Sequence, residues 1–320
     1  MLKITVLDGY TMNPGDNPWD ALASLGELTV YDRTPPELVL SRAMDAEILL
    51  TNKTHLSRET LQALPALKFI SVLATGYNIV DVAAAAELGI PVANVPAYST
   101  TSVAQLTFAL ILELCHGVAK HSEWVHSGGW CRTPDYSYWL QPLTELSGKT
   151  LGIIGFGAIG QKVAEIGAAF GMHILAYNPS VKPAPALNHF AFASLDELYA
   201  QSDVITLHCP QKAANTGMIN AAALAKMKPT AFLINTARGG LIDEQALADA
   251  LNGGRIAGAA LDVLSSEPPA DCNPLLTAKN TYITPHIAWA TLDARRRLMA
   301  TTVRNVQAYL NGAPINIVNR

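Results

Sequence analysis

What most restricts the fold of this chain is the regular alternation of short β-rich apolar runs with Ala- and Leu-rich stretches of helical spacing. The runs are KITVLDG, LTVYD, ILLTN, FISVLA and PVANV, then TLGIIG, HILAYN, VITLHC, FLINTA, IAGAALDV and TYITPH. Strands separated by helices are joined by crossovers, and crossovers build parallel sheets covered on both faces. At 320 residues the chain is long enough for about two such units. The expected fold is α/β, with two doubly wound, Rossmann-like parallel-sheet domains and a cleft between them.

The boundary is expected in NVPAYSTTSVAQLTFALILELCHGV, where Pro96 ends a strand, Ser99 to Ser102 offer helix caps and a long apolar helix follows. Beyond His286, the stretch ATLDARRRLMATTVRNVQAYLNG has helical spacing and a terminal Gly312 but no strand to follow. The chain is therefore expected to return there to its first domain. That makes a discontinuous, flavodoxin-like domain of residues 1–98 plus 290–320 and a second domain of residues 99–289.

Charge narrows the partners. The formal net charge is −4 with cations scattered, so no basic stripe tracks nucleic-acid phosphates. The one dense run, Arg295 to Arg297, is expected on a solvated helix face. Apolar residues make up 50% and charged residues 15%, a compact rather than a disordered balance. No apolar run reaches the roughly 18 residues of a membrane span, and MLKITVLDGY reads as a strand rather than a leader. Neither a nucleic acid nor a membrane is an expected partner, and the expected location is cytoplasmic. Cys115, Cys131, Cys209 and Cys272 lie far apart and form no CxxC, so reduced, mostly buried thiols are expected, with no disulfide framework and no metal site.

In open α/β sheets ligands gather beyond the carboxyl ends of the strands. In the second domain those ends carry Gly155 to Gly160, Asn178, Cys209, Arg238, Asp262 and His286; in the first, Asp8, Asn52, Lys53, Ala74 to Gly76, and Asn94. GFGAIG, residues 155–160, fits GxGxxG between a strand and a helix, the context in which that pattern means dinucleotide binding. Gly155 allows the tight turn, Gly157 lets the backbone approach a pyrophosphate, and Gly160 permits close helix packing. The free N–H groups of the helix N-terminus meet the negative charge.

NTARGG places Arg238 after an apolar strand, where its rigid fork of donors suits a carboxylate. LDVLSSEPP puts Asp262 at a strand end and Glu267 in the loop beyond, and TPHIAW puts His286 at the next strand end. A carboxylate beside an imidazole fixes its tautomer and makes a general acid and base. Among the other histidines only His208 shares a strand-end position, and no loop with an acid like Glu267 follows it.

GFGAIG, LHCP, NTARGGLIDE, GAALDVLSSEPP and TPHIAW, in this order and spacing, resemble the D-isomer-specific 2-hydroxyacid dehydrogenases. ATGYNIVD, NVPAYSTTSVAQ and YWLQPLTELSGKTLGIIGFG extend the resemblance over essentially the whole chain and look most like the glycerate dehydrogenase, or hydroxypyruvate reductase, branch. The resemblance implies a hydride moving between nicotinamide and C2 of a small 2-oxo or 2-hydroxy acid, such as hydroxypyruvate, D-glycerate or glyoxylate. Arg238 would orient the carboxylate and carbonyl, His286 would donate the proton, Glu267 would hold His286, and the N–H groups of Thr75 and Gly76 would face the carboxylate. Asp262 would help place the nicotinamide. The cofactor contacts it implies are Gly155, Gly157, Ala158, Ile159, Gly160, Asn178, Cys209, Pro210, Thr236, Ala237, Arg238 and Asp262. Lys53 and Ala74 to Gly76 join Arg238 and His286 around the substrate, and a homodimer is implied, with Trp139 reaching across it.

Two residues depart from the family pattern. Gln105 stands where Glu is usual, and Asn178 stands where an acid usually receives the ribose hydroxyls. The second change predicts a modest preference for NADH with measurable use of NADPH. Formate dehydrogenases share the fold but carry Gln in place of Glu267, which argues against that activity. Dinucleotide-sensing corepressors also share it, but the chain ends soon after its last helix and no partner-binding tail is expected.

Overall fold

The computed structural model describes residues 1–180 and 182–319. The chain forms two compact units, one from Met1–Ser99 with the segment from Ala290 onward, the other from Thr100–Trp289. Each holds one parallel sheet with helices, a two-sheet α/β fold.

The first unit contains β1 (Lys3–Val6), β2 (Glu27–Val30), β3 (Ile48–Thr51), β4 (Phe69–Val72) and β5 (Val92–Ala93) in the order β2-β1-β3-β4-β5. All neighbours are parallel, and β3 and β4 are buried at every position. Leu49, Ile70 and Val72 pack with Val39, Leu61 and Ala84 from the flanking helices. Burying one such large aliphatic side chain contributes about 1.5–3 kcal/mol. The final helix, Leu292–Leu310, joins this core as Tyr309 stacks on Phe69 with ring centroids 4.5 Å apart, and Ile317 then bridges Ala93.

Here one expectation fails. Arg295 does not lie on a solvated face: it is 7% exposed and grips Asp16 through both terminal nitrogens at 2.5 and 2.6 Å. It also donates to the carbonyls of Met12 and Ala290, while Arg297 donates to that of Tyr98. Arg295 holds the loop after β1, a task invisible in a run of three arginines; Arg296 and Arg297 are exposed, as expected of the run.

The second unit contains β6 (Thr150–Ile154), β7 (His173–Tyr177), β8 (Phe190–Phe192), β9 (Val204–Leu207), β10 (Phe232–Asn235), β11 (Gly258–Leu261) and β12 (Thr281–Ile283). Their order is β12-β11-β10-β9-β6-β7-β8, all parallel, and its direction reverses between β6 and β9. Such a reversal leaves a crevice at the carboxyl ends where ligands bind. Strand β8 is absent from the expected strands because its apolar run, FAF, is only three residues long, too short to mark a strand. The helix Thr100–His116 covers one face with Ala104, Phe108, Ile111 and Leu114. Its Ser102, expected among the helix caps, instead donates to the carbonyl of Ala288 at 2.5 Å.

Candidate active site

The turn after β6 is shaped by neighbours as much as by its own conformation. Gly155 has φ +100, a region other residues enter at a cost, and a Cβ there would lie 2.5 Å from the backbone nitrogen of Cys209 in the loop after β9. A Cβ at Gly160 would lie 2.2 Å from the carbonyl oxygen of Gly155, so the helix Ala158–Ala169 can start this close only without one. Gly157 is different: a Cβ there would meet nothing within 4 Å. Its missing side chain therefore leaves space outside the protein, above a helix N-terminus whose N–H groups donate to no capping side chain among the described residues. Ala158, Ile159 and Gly160 open that helix, and this open cradle with free N–H groups fits a dinucleotide pyrophosphate.

At the end of β7, Asn178 is a bracket. Its Oδ1 accepts from the N–H of Phe156 at 3.1 Å, tying it to the glycine turn, and its Nδ2 donates to both the carbonyl and the hydroxyl of Ser180 at 2.8 Å. Because the Ser180 hydroxyl accepts there, its own proton is left for another acceptor. At the end of β9, Cys209 is partly buried, and burial raises its thiol pKa; Pro210 follows, its carbonyl accepting from Asn215 at 2.9 Å.

The neighbouring histidine separates itself from the chemistry. Both ring nitrogens of His208 are buried with no hydrogen-bond partner among the described residues, although the residue as a whole is not fully covered. Burial pushes its pKa down to about 3, so it stays neutral near neutral pH and lacks the acidic proton of an imidazolium.

Strand β10 ends in Asn235, whose side chain accepts from Ala237 N–H at 2.9 Å and donates to the carbonyl of Arg238 at 2.8 Å. Thr236 is buried and meets the hydroxyl of Thr107 at 3.1 Å. These bonds hold the loop so that Arg238 emerges exposed, with Nη1 on the carbonyl of Ala237 at 2.6 Å. Next to it, a Cβ on Gly239 would lie 1.9 Å from the backbone carbon of Leu264, so this loop and the one bearing Glu267 run in direct backbone contact.

The last two strand ends converge on His286. Its Nδ1 lies 2.6 Å from Glu267 Oε2, while Glu267 Oε1 accepts from Leu264 N–H at 3.3 Å. His286 has φ +53, a conformation sustained by its N–H bonding the carbonyls of Asp262 and Thr284 at 2.8 and 2.9 Å. Asp262, 1% exposed, accepts from the hydroxyl of Thr284 and N–H of Ile287 on Oδ1 and from N–H of Ala288 on Oδ2. Burial is the largest influence on its carboxyl and raises its pKa, while these hydrogen bonds act the other way. A carboxylate has about four acceptor positions, so Oδ2 keeps capacity for one more donor. The sequence marked Asp262 but not this clamp on residues 284–288, which depends on partners more than twenty positions away.

In the first unit the strand-end residues divide in two. Asp8 accepts from the N–H groups of Asn52, Lys53 and Thr54 at 2.7, 2.5 and 2.8 Å, so its carboxylate builds the loop that carries Lys53. Asn52 and Asn94 likewise donate to the backbone of the segment containing Ala74, Thr75 and Gly76. Asp8, Asn52 and Asn94 are thus frame, and Lys53 and residues 74–76 are what the frame presents.

The sequence profile of the D-isomer specific 2-hydroxyacid dehydrogenase NAD binding domain matches residues 108–288. A hydroxypyruvate reductase of Blautia hydrogenotrophica is 51% identical over 322 residues, covering 100% of both chains. Among solved structures, a D-lactate dehydrogenase of Aquifex aeolicus complexed with NAD and lactic acid superposes with a TM-score of 0.84 at 32% identity over 99% of each chain. An acyclic imino acid reductase (Bsp5) in complex with NADPH and D-Arg gives 0.85 at 32% identity, over 99% of this chain and 100% of that one. The chain belongs to the D-isomer specific 2-hydroxyacid dehydrogenase family. It is an NAD(P)-dependent oxidoreductase of the glycerate dehydrogenase and hydroxypyruvate reductase branch.

Proposed function

We propose that this enzyme reduces hydroxypyruvate to D-glycerate, with glyoxylate as a second substrate, and that it works in the cytoplasm as a homodimer. The observation that carries the chemistry is the 2.6 Å contact between His286 Nδ1 and Glu267. With Nδ1 held by the carboxylate, Nε2 is the atom that donates a proton to the substrate carbonyl oxygen, and in the opposite direction accepts it. The bound reduced nicotinamide supplies the hydride for C2. Arg238 has one terminal nitrogen on a backbone carbonyl and the rest of its fork available to the substrate carboxylate and carbonyl. In the first unit Thr75 and Gly76 offer backbone N–H groups to a carboxylate, beside Lys53; in the second the spare position on Asp262 Oδ2 would suit the nicotinamide carboxamide. Choice of hydroxypyruvate rests on the relative of 51% identity.

Asn178 supports a modest preference for NADH, because it brings no charge to repel a ribose phosphate. The homodimer reading rests on Trp130, Tyr136, Tyr138, Trp139 and Leu143, all at least half exposed on one segment, for which a second copy is the cover. The cysteines are not mostly buried as expected, since Cys131 and Cys272 are exposed and only Cys115 is buried; all four are free, which fits a reducing compartment.

The deciding experiment is NADH oxidation with hydroxypyruvate, glyoxylate and pyruvate. Hydroxypyruvate is expected to give the highest kcat/KM, and Arg238→Lys to weaken affinity and turnover together, since a single ammonium loses the two-pronged contact. No oxidation with any of the three acids overturns the reading.

A further inference from the structure

The backbone at the end of β4 does not continue as a strand, and one side chain is responsible. In extended chain successive carbonyls point to alternate sides, and across each trans peptide the next N–H points opposite to the carbonyl. Leu73 follows that pattern: its N–H donates to the carbonyl of Thr51 at 2.8 Å and its carbonyl accepts from Asn52 Nδ2 at 2.6 Å, both on the β3 side. Ala74 follows it too, its carbonyl accepting from Val95 N–H at 3.0 Å on the β5 side. Thr75 should then turn back. Instead its carbonyl accepts from Asn94 Nδ2 at 2.7 Å, and its hydroxyl donates to the carbonyl of Val95 at 2.8 Å, so it stays on the β5 side.

Two consecutive carbonyls drawn to one side send the two following N–H groups, those of Thr75 and Gly76, together to the other. Neither donates to a protein acceptor among the described residues. Paired backbone N–H groups of this kind form an anion-binding nest. Asn94 is itself held at both backbone atoms: its N–H donates to the carbonyl of Asn316 at 3.1 Å, and its carbonyl accepts from Asn305 Nδ2 at 2.9 Å. Asn316 Nδ2 closes the set by donating to Asn305 Oδ1 at 2.8 Å. Asn305 is fully buried, so this support comes from the core side of the last helix.

We propose that Asn94 is the positioning residue that creates the substrate-carboxylate nest of Thr75 and Gly76, and that Asn305 and Asn316 hold it in place. This rests on the reading of the enzyme as a 2-oxo acid reductase. Asn94 touches no reacting atom; it acts on substrate affinity through the direction of two N–H bonds. Because every 2-oxo acid shares the carboxylate, its loss must affect all of them alike.

The test compares Asn94→Ala and Asn94→Asp with the parent enzyme. Asp is nearly isosteric and keeps the backbone bonds to Asn305 and Asn316, so it serves where Ala fails to fold, yet an ionised carboxylate cannot donate to Thr75. KM for hydroxypyruvate and KM for glyoxylate are expected to rise by the same factor, about ten- to a hundredfold, the range for hydrogen bonds to a charged group, with kcat within about threefold. Asp is expected to exceed Ala, since it sets an acceptor against the Thr75 carbonyl. Inhibition by oxalate should weaken in parallel, while the dissociation constant of NADH, read by its fluorescence, stays at the parent value. Unchanged KM in a variant with the parent's melting temperature, unequal losses for the two acids, or a matching loss of NADH affinity overturns the proposal. A parent that reduces no 2-oxo acid fails the functional reading instead, and is recognised before any variant is made.

Discussion

Two histidines stand at carboxyl ends of strands, and residue-scale environment assigns them opposite fates. His208 is desolvated, with no partner for either nitrogen among the described residues, and stays neutral, whereas His286 has Glu267 on Nδ1 and a partly exposed ring. His286→Ala is therefore expected to lower kcat for hydroxypyruvate reduction by about 10²- to 10⁴-fold, the usual worth of a positioned proton donor. Steady-state rates check this, and undiminished turnover would remove His286 from the mechanism. Asn178 is the second residue whose surroundings decide its role. Its amide bonds to Ser180 and the glycine turn keep the loop shaped without a negative charge. Asn178→Asp restores the charge facing the ribose and is expected to raise the ratio of kcat/KM for NADH over NADPH by about ten- to a hundredfold. A parent that strongly prefers NADPH would instead identify Ser180 and Lys182 as a phosphate site.

At the scale of elements, strand ends are tied to one another by groups distant in sequence. Ala288 is gripped twice, by Asp262 on its N–H and by Ser102 on its carbonyl, so the loop bearing His286 is fixed from β11 and from the long helix together. In the first unit the loop after β1 is fixed to the last helix by Arg295 on Asp16. The Arg295 hydrogen bonds hold the Asp16 carboxyl below its ordinary value of 3.8, despite a smaller opposing effect of desolvation. A carboxyl with a lowered folded-state pKa adds stability above its unfolded pKa and loses it as pH falls through the folded one. Asp16→Asn is therefore expected to lower the melting temperature at pH 7, and the gap from the parent is expected to shrink as pH falls below 3.8. Thermal unfolding followed by circular dichroism at several pH values checks it. A gap independent of pH would mean that Asp16 acts by shape and not by charge.

For the whole molecule, the exposed aromatic segment makes the clearest demand. Tyr136 is 92% and Trp139 62% exposed, a large apolar area to leave in water. Sedimentation equilibrium is expected to give twice the chain mass for the parent. Trp139→Ser is expected to weaken that association by about thirtyfold or more, as for an aromatic anchor worth roughly 2 kcal/mol. A monomeric parent would leave the segment for another partner.

The sequence by itself determined the periodic elements and the local chemistry. Alternating runs specified parallel sheets because crossovers allow little else, and GFGAIG was readable because the strand before it and the helix after it are its immediate neighbours along the chain. The strand-end rule marked Asp8, Asn52 and Asn94 as well as His286, yet it could not say which of them frame a loop and which face a ligand. Only the tertiary structure decided that, because the partner of Asp8 lies more than forty positions away and that of Asn94 nineteen. It also turned Arg295 inward against Asp16, some 279 positions earlier, where the local charge run had suggested water. The physical reason is common to all of these: a hydrogen bond or an ion pair is chosen by proximity in space, and a linear pattern records proximity only within the turn of one helix or along one strand.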